Sequence, residues 1–171
     1  MLDPRLLAAR IGGEASLYRM LLEARAIVEI GACELATSHC TDEDVCALES
    51  AVQAMQASGD DVEAFVSADL SFHAGIMAAS ANVFIAEVFD PVAKLLAEGR
   101  RQTSSHATIR RHAIDHHRRI IAAIRGGRPL KAADAMREHM KQTANDFERY
   151  AVLGHHTFQG EEYERGASSA S

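Results

Sequence analysis

The sequence predicts an all-α domain, an antiparallel bundle of six to seven helices. Apolar residues recur at three- and four-residue steps over long stretches, and no alternating pattern is long enough for a useful strand. The chain is rich in alanine, only 5% aromatic and free of tryptophan, with three prolines. That composition favours helices packed closely together. The turn signals between stretches are short, so neighbours should run antiparallel. A chain of 171 residues is long enough for one domain to bury its own core.

Residues 3–11 read as a short helix ending at Gly12 and Gly13. Residues 16–38 form a long helical stretch, with Leu17, Met20, Leu21, Ala24, Ile27, Val28, Gly31 and Leu35 as its apolar stripe. Thr41 caps the next helix, and Asp42, Glu43 and Asp44 suit the positive end of its dipole. Thr41 with Asp44 approximates a capping box. Val45, Leu48, Val52 and Met55 give that helix one buried stripe, and Ser58, Gly59 and Asp60 close it. Residues 61–79 carry Val62, Phe65, Val66, Leu70, Ile76 and Met77 on one stripe, with Phe72 just off it. Ser80, Ala81 and Asn82 break the pattern. It resumes over 83–103, where Pro91 removes a backbone donor and is expected to kink or split the helix. A further helix spans 107–125 and stops at Gly126 and Gly127. Arg128 and Pro129 open the last, which is expected to reach residue 153. The domain organisation read from this is a linker over 1–14, the bundle over 15–153, and a polar, disordered tail over 154–171.

The formal net charge of −6 argues against the chain alone being a strong nucleic-acid binder. Three basic pairs, Arg100 with Arg101, Arg110 with Arg111 and Arg118 with Arg119, read as solvated helix faces. No apolar run is long enough to span a membrane, and the N-terminus lacks the pattern of a secretory signal. Cys33, Cys40 and Cys46 are odd in number and lack CxxC spacing, so they read as reduced thiols of a cytoplasmic protein.

Asp69 and His73 are four apart, one turn of helix on the same face. His117 shares a face with Ile120, Ile121 and Ile124; its neighbour His116 points about 100° away and becomes a rim residue, as does Asp115. His139 lies near the stripe of Ala135, Met136 and Thr143. Polar groups on buried faces are costly alone. One carboxylate and three imidazoles can share a divalent transition metal, with zinc, nickel and manganese all compatible. Spacing alone leaves open whether these four converge. His106, His112, His155 and His156 lack such a pattern and read as surface residues.

The order of motifs resembles the FCD domain, the C-terminal effector-binding domain of the FadR subfamily of GntR transcription regulators. The matching residues are Glu23-Ala-Arg25-Ala-Ile-Val-Glu29 with Leu35-Ala36, Asp69-Leu-Ser-Phe72-His73, Ala79-Ser80-Ala81-Asn82, His117-Arg-Arg-Ile120-Ile-Ala-Ala123-Ile124, and Ala133-Asp-Ala-Met136-Arg137-Glu138-His139. They cover residues 15–150. Leu2-Asp3-Pro4-Arg5-Leu6-Leu7 resembles the linker ahead of this domain in members that respond to sugar acids. The resemblance implies a homodimeric bundle that senses a small carboxylate, an organic or sugar acid, at a metal held by Asp69, His73, His117 and His139. It also implies that Arg25 and Asn82 contact the effector. Two positions depart from the family: His116 replaces an acid, and Ala81 replaces glycine. The family's winged helix-turn-helix has no counterpart in residues 1–14, so any DNA contact is expected only through a domain outside this chain.

Such a site carries net charge +1, which attracts an anion, and Arg25 could clamp it in bidentate fashion. The plain alternative for Arg25 is an i,i+4 pair with Glu29. No motif such as HExxH sets a general base beside the metal, so the expectation is a sensor rather than an enzyme. A metalloenzyme and a purely structural metal are the competing readings.

Overall fold

The computed structural model describes residues 13–152. Six α-helices follow one another in this segment: α1 (Glu14–His39), α2 (Asp42–Ala57), α3 (Val62–Ala79), α4 (Val83–Ser104), α5 (Ala107–Arg125) and α6 (Pro129–Asp146). A π-helical turn, Phe147–Val152, continues α6. The expected short helix over 3–11 and the tail over 154–171 lie outside the described residues. The bundle is all-α, as the periodicity indicates. α1 packs on α6, α3, α4 and α5, while α2 covers α3 and α5. The longest helix is therefore the axis around which the others are arranged.

The helix boundaries follow local chemistry. Asp44 N–H donates to Thr41 Oγ1 (3.2 Å) and Thr41 N–H donates to Asp44 Oδ2 (2.8 Å), completing the capping box of α2. Asp61 caps α3 by accepting from Ala64 N–H (3.0 Å). α3 ends with Ala81 in the left-handed region (φ 55°), a conformation that favours glycine. Pro129 sits in the first turn of α6, where its missing N–H costs nothing. α4 runs through Pro91 as one unsplit helix. The last α-helix stops seven residues earlier than periodicity suggests, at the π turn, where Phe147 is buried and stacks on Tyr18 (ring centroids 4.2 Å).

The stripes of α2 and α5 are buried as their spacing requires: Val45, Leu48, Val52 and Met55 on one, Ile120, Ile121 and Ile124 on the other. α1 differs. Its buried face carries Tyr18, Leu22, Arg25, Glu29, Ala32, Cys33 and Ala36. The stripe expected to be its core face points outward instead, with Ile27 78% exposed and Met20 55%. Ile27, Val28 and Leu35 line a surface groove with Phe84, Ile85 and Val88. The inward face of α1 holds two charged residues because they meet partners from other helices. Phe72 is likewise at the centre of the core rather than off its stripe.

Candidate metal centre

Five helices each send chemistry to one buried point. α1 supplies Arg25 and Glu29, α3 supplies Asp69 and His73, α4 supplies Arg100, α5 supplies His117 and α6 supplies His139. All seven are buried.

The ligand-type atoms of His73, His117 and His139 lie within 4.8 Å of one another. His117 Nε2 and His139 Nε2 are 3.2 Å apart. Asp69 Oδ1 is 3.5 Å from His117 Nε2 and 3.7 Å from His73 Nε2. Metal–nitrogen bonds of about 2.0–2.1 Å place ligand atoms roughly 3.3 Å apart around a tetrahedral ion, so these spacings fit a first-row divalent metal. The phase argument that favours His117 over His116 agrees with the structure, since His117 is fully buried and His116 is at the rim. Phe72 stacks on the His117 ring (centroids 4.0 Å, 18° between planes) and fixes its plane.

The partners of His73 set its tautomer. A carboxylate only accepts, so Nδ1–H donates to Glu29 Oε2. A guanidinium only donates, so Nε2 accepts from Arg25 Nη2 (2.6 Å). Nε2 is thus the unprotonated nitrogen, the tautomer a metal ligand needs; its single lone pair is held by Arg25 Nη2–H, which a metal at Nε2 would displace. Glu29 also accepts from Arg25 Nε, so one buried carboxylate ties both residues together. The i,i+4 pair read from the sequence exists, but inside the protein rather than on its surface.

Protonation follows from this environment. Burial raises the Glu29 carboxyl, but the charge of Arg25 and the contact with His73 outweigh it and hold it at about 2. Burial, aided by Arg25, holds His73 down at about 4. Burial also keeps His117 and His139 well below the ordinary imidazole range. All three imidazoles are thus neutral near pH 7, as metal ligation requires.

Three buried polar atoms have no hydrogen-bond partner among the described residues: Arg25 Nη1, Arg100 Nε and His117 Nδ1. Buried donors are rarely left so. All three belong to this cluster.

Two sequence expectations need correction. Asn82 is not brought to the cluster: it is the exposed N-cap of α4, and its Oδ1 accepts from Phe84 N–H (3.1 Å). A short amide consumed by its own helix start does not reach the bundle interior. The basic pairs are not uniformly solvated either. Arg100 and Arg110 are buried, with Arg110 donating to Ser104 O (2.8 Å) and Asp60 Oδ1 (2.6 Å). Arg100 contacts Asp69 Oδ2. Sequence reasoning missed Arg100, although it lies one turn after the fully buried Leu96 and so shares an inward face.

Comparison with known proteins identifies the family and the fold. Residues 20–142 match the FCD domain family. The HTH-type transcriptional regulator LutR of Bacillus subtilis (strain 168) is 31% identical over 127 residues, covering 71% of this chain. The chain spans 58% of the length of that relative. The solved structure of E. coli McbR/YncC shares the fold (TM-score 0.71, 19% identity, 80% of this chain and 66% of that one). So does Streptococcus agalactiae GntR (TM-score 0.70, 22% identity, 85% of this chain and 66% of that one).

Proposed function

We propose that this chain, which belongs to the FCD domain family, is the ligand-sensing part of a GntR-type transcription regulator. It binds a small carboxylate at a divalent metal held by Asp69, His73, His117 and His139. The convergence of three neutral, buried imidazoles from three helices carries the reading. Arg25 supports the anionic effector, since its Nη1 is buried without a partner. When bound, the metal would supply open coordination positions for a carboxylate oxygen. Arg25 then orients the anion, Glu29 holds Arg25 and the His73 tautomer, and Phe72 excludes water from the His117 face. Nothing in the cluster is poised as a free general base: Glu29 and Asp69 are both engaged by arginines. That favours sensing over catalysis.

The protein acts as a cytoplasmic homodimer in this reading. The outward apolar face of α1, continuous with Phe84 and Val88 of α4, supports self-association, because contiguous exposed apolar surface marks interaction sites. Among the described residues no helix is long and apolar enough to cross a membrane.

Metal analysis of the purified protein and melting with and without chelator test the metal. Co-purifying zinc, nickel or manganese and a lower melting temperature after chelation are expected. No metal and an unchanged melting curve would remove the site. A thermal-shift screen of carboxylates on the metal-loaded protein tests the effector. A ligand at a hundredfold excess over Kd stabilises by about 2.7 kcal/mol. An effector that stabilises His117→Ala as well as wild type would show that the metal is not its anchor. Turnover of a stabilising compound would favour the metalloenzyme.

A further inference from the structure

Arg100 is a second guanidinium at the cluster, and nothing in the four-ligand pattern requires it. It is 6% exposed, its side chain meets Asp69 Oδ2, and its Nε–H has no partner among the described residues. Arg25 and Arg100 line one narrow cavity together with Asp69, His139, Thr103 and Thr143. Each of these two arginines also carries a buried N–H without a partner among the described residues, Arg25 Nη1 and Arg100 Nε.

The charges sharpen this. Arg25 and Arg100 are balanced by Glu29 and Asp69, and the imidazoles are neutral. A divalent metal then leaves a surplus of two positive charges among these groups, which is costly in a low-dielectric interior. Asp146 lines the same cavity; its carboxylate accepts from Gln142 Nε2 (3.0 Å), lies 3.7 Å from His112 Nδ1, and offsets one of the two. An anion is still favoured there, and two guanidinium groups on one cavity present donors to two carboxylates.

We infer that Arg100 is a second anion anchor, and that the effector is a small dicarboxylic acid with one carboxylate at the metal and Arg25 and the other at Arg100. This rests on the carboxylate-sensing reading above and narrows its ligand class. Arg100 releases Asp69 Oδ2 only in part: its unused Nε–H meets the incoming anion while the Asp69 contact keeps that carboxylate oriented.

The test is calorimetric titration of metal-loaded wild type with matched acids, propionate against succinate and lactate against malate, at constant ionic strength. A charge-assisted hydrogen bond predicts that each diacid binds about tenfold or more tightly than its partner. Arg100→Gln should collapse that ratio to within about threefold, and Arg100→Lys should retain part of it. Equal affinity of mono- and diacids for wild type overturns the inference, and needs no variant to fold. A loss of the same factor for both acids in Arg100→Gln also overturns it, because that is the effect of a residue that only orients Asp69. Monoacid binding without a diacid preference refutes Arg100 alone; absence of binding by all four acids refutes the carboxylate reading with it.

Discussion

Replacing Glu29 with glutamine keeps the shape of the side chain and removes one charge. Glu29 is fully buried and accepts from two donors at once, Arg25 Nε–H and His73 Nδ1–H. Glutamine has one acceptor oxygen, and its amide presents N–H groups to whichever donor remains. Either the Arg25 guanidinium stays buried beside a donor, or the His73 ring changes tautomer and accepts at Nδ1. The second outcome puts the proton on Nε2 and abolishes the lone pair that faces the cluster. Removing one partner of a buried ion pair costs about 3–5 kcal/mol. For a domain of this size that lowers the melting temperature by roughly 10 °C. Loss of a residue that orients a ligating histidine costs about 10–100-fold in metal affinity. Two measurements check this: denaturant unfolding in chelator for stability, and competitive metal titration for affinity. A Glu29→Gln protein within about 0.5 kcal/mol of wild type that also binds metal normally would refute the reasoning, since both consequences follow from the same shared carboxylate.

Other perturbations read different parts of the fold. Ala81→Gly relieves a left-handed residue after α3 and should stabilise by about 1 kcal/mol, visible as a rise of a few degrees in melting temperature; a fall would refute the strain. Gly99→Ala drives a Cβ into the Tyr18 ring, which is buried and stacked on Phe147, and should destabilise by about 1–3 kcal/mol. The same change in a Tyr18→Leu background should lose most of that cost; equal costs in both backgrounds would place the clash elsewhere. Ile27→Asp with Phe84→Asp should convert a dimer to a monomer by light scattering without lowering the thermal stability of the monomer, because both residues are exposed in the isolated chain. A dimer that survives both charges would move the interface off this face.

Much of the architecture is legible in the order of residues. The stripes of α2 and α5 bury the residues their spacing selects, and the capping box at Thr41 forms as its motif requires. Asp69, His73, His117 and His139 converge, and helical phase alone separates His117 from His116. These features are local: a turn of helix, a cap, or the angle between adjacent residues decides them. α1 shows where local reasoning stops. It has apolar residues on one face and Arg25 and Glu29 on another, and periodicity favours burying the first.

The sequence by itself determined the all-α bundle, the position of nearly every helix end and the inward faces of His117 and His139, because short-range spacing and backbone hydrogen bonding dictate them. Only the tertiary structure decided which face of α1 turns inward, that Glu29 joins Arg25 to His73, and that Arg100 meets Asp69. A buried charge is stable only beside its partners, and those partners come from helices 44 and 31 residues away along the chain. No periodicity within one helix records such distant pairings, and they appear only once the five helices pack against one another.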